Sequence, residues 1–530
     1  LGLGILLGVL LGGFLPLKAA TLYVNTGADV ITNDNYCSLR EAIIAANTNS
    51  DYNGCQNFGP PYGNDTIVLF PGTLTLSWDP NAGNEDFADE DDLDIRSPIT
   101  IVVSPPNGIA TIARASNLVC NLDKNTAAGE FRIFEVHPGG SLSATNVILE
   151  NGCADGDYPG KLGGGIYVQS GASLNLSTST VRQNQASSEG GGIANQGTAT
   201  LTDTTLSQNS ALYGGGLMDQ GTSSLLRCTV EGNSADIGGG IHKWAVGLTT
   251  ILNSTISGNT ASIQGGGIYI IDSIVNLVFS TVTNNSAPAG AGVALFSFNP
   301  PPPTTLNSKN SIVGGNGGGG FNCDYSLGGT IIVSGANLDD DGSCTGFTTS
   351  SSLNLGPLAN NGGPTQTHAL LPGSPAIDGV PLTQCTDLSS TPAPVTEDQR
   401  GVVRPAGSAC DVGAFEVGAG ADMVANAPTV PSSLSPGGSY SLSFSCTNNG
   451  PDPAFNATCG ISASAGSVGS PSCTASSGSA ASLPASASLS CTASYTAPGS
   501  PGGGDTPQTN ITFTVTAGAT NDTNASNNTS

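Results

Sequence analysis

Between Gly163 and Gly292 apolar and polar residues alternate with a period of two, and the alternation itself repeats. Gly-Gly-Gly followed by an aliphatic residue ends at Ile166, Ile193, Leu217, Ile241 and Ile268, and a Gly-Ala-Gly copy ends at Val293. That is one unit roughly every 25 residues, within the range of stacked repeat architectures. Four columns align across successive units: Leu174, Ala199, Ser223, Thr249, Val275; Leu176, Leu201, Leu225, Ile251, Leu277; Ser179, Thr204, Cys228, Ser254, Ser280; and Val181, Leu206, Val230, Ile256, Val282. A second mark, an aliphatic residue, two polar residues and Asn, ends at Asn184, Asn209, Asn233, Asn259 and Asn285, with further copies at Asn151 and Asn316. One unit leaves its apolar face uncovered, whereas stacked units bury it at a spacing of about 4.8 Å. The pattern predicts a rod of stacked coils. Glycines would turn its corners at positive φ, and each Asn side chain would bond the same Asn one coil away.

Outside the repeat the pattern changes. Residues 1–20 open with an apolar run too short for a membrane span and ended by Pro16, which predicts a secretory signal peptide cut near Ala19 or Ala20, with its own start missing. In "CSLREAIIAANTN" Ser38 reads as an N-cap, and Leu39, Ala42, Ile43 and Ala46 share one helical face. A short amphipathic helix there would cap the open edge of the rod, with Arg40 and Glu41 as surface charges or as a pair anchoring the cap. Residues 64–150 alternate less regularly, as early coils. After Pro300 the chain passes through Pro and Gly runs into turn-rich blocks at 355–379 and 397–416. From about Ala421 clean alternation returns between Pro/Gly turns, as in an antiparallel sandwich.

These stretches carry resemblances. The two repeat marks resemble those of polymorphic outer-membrane proteins and their pectin-lyase-like relatives, with Gly in place of Ala and Val, Leu or Ile in place of Phe. "CSLREAIIAANTN" resembles the CSLREA domain of secreted bacterial β-helix proteins. The blocks at 355–379 and 397–416 resemble the choice-of-anchor Q domain, which precedes varied anchoring modules. The last stretch resembles the immunoglobulin-like repeats of bacterial surface proteins. The resemblances imply an all-β chain: a right-handed parallel β-helix with an N-terminal capping helix, then a C-terminal immunoglobulin-like sandwich. The expected parts are 1–20 leader, 21–130 cap and irregular coils, 131–350 regular coils, 351–418 the C-terminal end of the rod, and 421–530 the sandwich. An envelope anchor is expected beyond Ser530.

Composition narrows the partners. The net charge is −26 with 13 basic residues, which disfavours nucleic acid and anionic membranes. The 13 cysteines, with no Cys-x-x-Cys, point to an oxidising compartment. Spacing pairs Cys37 with Cys55, Cys120 with Cys153, Cys323 with Cys344 and Cys385 with Cys410. In the sandwich, phase suggests Cys446 with Cys491 and leaves Cys459 with Cys473. Cys228, in a column of Ser and Thr, reads as a buried core thiol.

The candidate chemistry is sparse. Asn195, Asp219 and Lys243 align in consecutive coils, with His242 and Trp244 flanking the last. An acid, a base and a ring that could stack a sugar suggest catalysis by Asp219, Lys243 and His242, and binding by Asn195 and Trp244. The pectin-lyase-like resemblance implies a polysaccharide lyase or glycoside hydrolase if the chain is an enzyme, yet the paired-Asp, Gly-His and Arg-x-Lys pattern of polygalacturonases is absent. Two acidic runs are candidate calcium sites, at Asp89, Asp91 and Asp92 and at Asp339 and Asp341. The second lacks the Glu that an EF-hand needs at its twelfth position, where Ser350 stands. The reading that emerges is a secreted or surface-displayed rod binding a glycan or protein. The alternatives are a lyase or hydrolase, and a calcium-dependent matrix protein.

Overall fold

The computed structural model describes residues 19–59, 61–77, 92–123, 130–156, 158–245, 247–298, 304–418, 420–450, 452–480, 482–499, 510–519, 522 and 524–530. The expected leader falls almost wholly outside this set, and so do Asp89 and Asp91. Among the described residues the rod is a parallel β-helix of three long sheets. The first has 11 strands, from Thr21–Tyr23 to Thr330–Ser334, and the second has 11, from Gly72–Leu76 to Thr348–Thr349. The third has nine, from Leu93–Ile95 to Cys323–Leu327.

The predicted columns are in register. Leu176 pairs with Leu201, Leu201 with Leu225, Leu225 with Ile251 and Ile251 with Leu277, and all lie in one continuous core. The Asn column is the predicted ladder. Asn209 Nδ2 donates to Asn233 Oδ1 at 2.9 Å, its backbone N–H donates to the same oxygen, and Nδ2 also donates to the Val181 carbonyl. The same pattern links Asn184 to Asn209, Asn233 to Asn259 and Asn259 to Asn285, and continues through Asn316 to Asn322. The Ser/Thr/Cys column forms a second ladder: Cys228, Ser254 and Ser280 each donate a backbone N–H to the hydroxyl one coil on. Cys228 is the one free cysteine, and burial pushes its thiol up to about 12. Of each glycine triplet only the first member takes positive φ, as at Gly190. The third is small for another reason: a Cβ on Gly192 would lie 2.6 Å from the Gly216 carbonyl oxygen.

The helix Leu39–Thr48 starts from Ser38, which forms a capping box with Glu41. Its side chains serve the edge strand Leu93–Ile95. Asn47 donates to the Asp94 carbonyl and accepts from the Arg96 N–H, and Arg40 donates to the Asp92 carbonyl. Arg40 also pairs with Asp29 at 2.7 Å, both buried, so it anchors the cap.

Two expectations change. Residues 353–417 do not close the end of the rod; they lie along its flank, on the outer side of the second sheet. Thr255 donates to Gln399, Ser257 meets His368 Nε2, and the Ala414 N–H donates to Thr281. The reason is that the outward positions of these coils are small hydroxyl residues that can pair with a turn-rich segment. In the C-terminal antiparallel sheets the disulfides are Cys446–Cys459 and Cys473–Cys491, not the pairs inferred from phase. Cys446 and Cys491 do both point inward, but their strands are hydrogen-bonded neighbours in one sheet. Cys446 therefore reaches the facing sheet at Cys459, and Cys491 meets its direct cross-strand partner Cys473. The other four pairs are as expected.

Candidate functional site

Along the third sheet the chain alternates inward and outward. Val168, Asn195, Asp219, Lys243 and Ile270 form one inward column. Asn195, Asp219 and Lys243 are accordingly buried in the coil interior, with Asp219 and Lys243 fully covered. Lys243 Nζ donates to Asp219 Oδ2 at 3.1 Å and to the Gly221 carbonyl, while Asp219 also accepts from Asn195 Nδ2 and Thr249. Burial pulls the Lys243 ammonium below its ordinary range, and Asp219 only partly restores it. The expected acid–base pair is thus sealed away from any substrate, and Asn195 is a core residue. His242 faces the other way but is covered too. Its ring meets Tyr269 edge-on at 4.9 Å and Tyr213 at 5.7 Å. Neither ring nitrogen has a partner among the described residues, and burial lowers its pKa to about 3.

One position further along each coil the side chains turn out again. Gln169, Gln196, Gln220 and Trp244 form this outward row, and Trp244 is 42% exposed. Tyr167 donates to Gln196 Oε1 at 2.8 Å, Gln196 to Gln220 Oε1 at 2.9 Å, and Gln220 to Glu189 at 3.1 Å. Beside them runs a groove of about 600 Å³ lined by Gln196, Gln220, Ser170, Ser173, Thr198 and Thr222.

The same outward face carries a charged cluster in the early coils. Phe134 aligns with Leu93 and Ile166, which stacks Asp94, Glu135 and Tyr167. His137 Nε2 lies 2.6 Å from Asp94 Oδ1, and Gln169 donates to Glu135. Arg132 binds both Glu135 and Asp92, the latter at 2.8 Å. Burial raises the Asp92 carboxyl to about 7, against the pull of Arg132. His137 is raised as well: burial opposes the charge, but the Asp94 hydrogen bond and charge outweigh it. Among the described residues Asp94, Glu135 and His137 are the one group whose donor atoms converge as metal ligands would. Two carboxylates and an imidazole suit a transition ion better than calcium, which prefers oxygen alone. None of these three was singled out in the sequence, although aligning "LDIRS" with "FEVHP" and "IYVQS" in the repeat register places them together.

Asp339, Asp340 and Asp341 do not form a group of three converging ligand atoms. Asp339 Oδ2 accepts from the Cys344 N–H and Asp341 from Ser343 and the Asn322 N–H, which hold Asp341 below the usual range despite its burial. Between them Asp340 accepts from Asn322 Nδ2 and so terminates the Asn ladder. This acidic turn is a structural stop.

A family model described as a right handed beta helix region matches residues 163–337. The repeat region is a right-handed β-helix. No curated protein and no solved structure matches the chain. The matched β-helix residues include the outward Gln row and the buried Asp219–Lys243 pair; the Asp94–Glu135–His137 cluster lies before them.

Proposed function

We propose that the chain is an extracellular rod that binds a neutral glycan along the flank formed by Gln169, Gln196, Gln220 and Trp244. The observation that carries this reading is the row itself: amides already ordered by hydrogen bonds, an exposed indole at one end, and a hydroxyl-lined groove beside them. Amides pair with sugar hydroxyls in either direction, and an indole face covers the apolar face of a pyranose. Six disulfides support an oxidising compartment, and no helix among the described residues is long and apolar enough to cross a membrane. The resemblances of the cap and the 355–416 blocks support surface display and an anchor further along.

The test is a glycan-array measurement with the chain, a Gln196→Ala/Gln220→Ala variant and Trp244→Ala. Retention lost in both variants supports the flank. Retention equal in all three, or none with any glycan, removes it. A lyase or hydrolase reading has one observation in its favour, the convergence of Asp94, Glu135, His137 and Arg132. Turnover of a polysaccharide that His137→Ala abolishes would establish it instead.

A further inference from the structure

The N-terminal cap has a second concavity, of about 730 Å³, remote from the Gln row in sequence and lined by Tyr23, Asn25, Asn35, Asn53, Gln56 and Phe58. Tyr23 and Phe58 are 52% and 72% exposed, and their rings meet edge to face with centroids 6.0 Å apart. Large rings held in the open, off the core, form the kind of surface that marks a binding site rather than a packing need.

The walls are fixed in place. Cys37–Cys55 ties the loop bearing Asn53, Gln56 and Phe58 to the start of the helix. Tyr52 and Cys55 bond each other's backbones in a tight turn. Gly54 is packed so closely that a Cβ would lie 1.9 Å from the Tyr36 carbonyl oxygen. The Phe58 N–H donates to the Thr21 carbonyl, which seats that ring beside Tyr23. Two amides are also oriented. Asn25 Oδ1 accepts from the Cys37 N–H at 2.8 Å, which leaves its Nδ2 end to donate. Asn53 Nδ2 donates to Glu41 at 2.9 Å, which leaves its Oδ1 end to accept. One oriented donor and one oriented acceptor beside an aromatic pair, with no charged side chain among the described residues of the lining, match a pyranose: vicinal hydroxyls that both give and take, and a C–H face for a ring. Asp34 and Asp51 nearby, and a chain of net charge −26, disfavour an anionic sugar.

We infer that the N-terminal cap carries its own binding site for a neutral oligosaccharide, with Tyr23 and Phe58 as the stacking wall and Asn25, Asn53 and Gln56 as the hydroxyl-reading groups. This site is separate from the flank, so the two readings fail separately. The probes are cellotriose and xylotriose, with trigalacturonate as the charged control, titrated into the full chain by saturation-transfer NMR and calorimetry. A neutral trisaccharide should bind with saturation from Tyr23 or Phe58. Tyr23→Ala and Phe58→Ala should each weaken it by about tenfold, as loss of one ring contact does. Tyr23→Phe, which keeps the ring, and Phe321→Ala, at an exposed ring outside both linings, should leave it unchanged. Both rings are exposed, so unchanged melting temperatures will confirm folded variants. Absence of neutral-sugar binding, an affinity in Tyr23→Ala and Phe58→Ala equal to the parent's, or equal binding of trigalacturonate overturns the inference.

Discussion

Asp219 and Lys243 stack inside the coil where neither reaches water. Breaking such a pair on one side leaves a buried charge, whereas replacing both sides with apolar groups removes the desolvation cost as well. Asp219→Ala should therefore destabilise the rod by about 3–5 kcal/mol, while Asp219→Leu/Lys243→Met should be close to neutral. Urea denaturation of the two variants checks this. His242 sets a pH dependence. Its folded pKa, about 3, lies below the ordinary 6.5, so between these values the unfolded chain binds the extra proton. The neutral ring's contribution is complete above pH 6.5 and is lost as pH falls toward 3. At roughly 1.4 kcal/mol per pKa unit the loss is on the order of a few kcal/mol. His368, lowered by burial, acts in the same direction, whereas the raised His137 stabilises below 6.5 and loses that contribution as pH rises through its folded pKa. His242→Phe keeps a ring between Tyr213 and Tyr269. Its melting temperature should equal the parent's at pH 8 and exceed it increasingly from pH 6.5 down to 4.

At the scale of the coil, each Asn in the ladder serves two neighbours at once. Asn233 accepts from the Asn209 N–H and Nδ2 and donates to Asn259 and the Leu206 carbonyl. Asn233→Ala strands several buried groups, each worth about 1–3 kcal/mol, so a loss of about 3 kcal/mol or more is expected in thermal or urea unfolding. Gly192→Ala should be as damaging, because its Cβ meets backbone that cannot move without shifting the next coil. These elements were legible in the sequence for a physical reason: every coil repeats one environment, so the columns at Leu176, Val181 and Asn184 are each stated five times. What escaped was the face of Asn195, Asp219 and Lys243. Polar residues at an inward position contradict the alternation, and only their neighbours Val168 and Ile270 betray the direction. The Asp94–Glu135–His137 cluster escaped because the early coils share the register but not the glycine triplets. The C-terminal disulfides escaped because phase reports the face of a strand, not which strand lies opposite.

For the whole molecule, the segment 353–417 joins the rod to the C-terminal sheets. Arg400 is its pivot: the guanidinium pairs with Asp398 at 2.8 Å, approaches Asp452 of the C-terminal region at 3.6 Å, and lies 3.5 Å from the Phe415 ring centroid. Asp452 also accepts from the Gly418 and Gly420 N–H groups. One carboxylate therefore holds both the cation of the flank segment and the backbone leading into the sheets. Removing it leaves Arg400 with Asp398 but frees the two amides and the inter-region pair, so the coils keep their ladders while the junction loosens. Asp452→Ala should split a single calorimetric transition into two and raise protease cleavage in the 417–421 stretch, with the rod's own transition unchanged. Asp452→Asn, whose single amide oxygen replaces only one of the two acceptors, should restore only part of the protection. An unchanged single transition in Asp452→Ala would mean that the rod and the sheets are held together through the apolar contact of Phe455 with the flank segment's core rather than through charge.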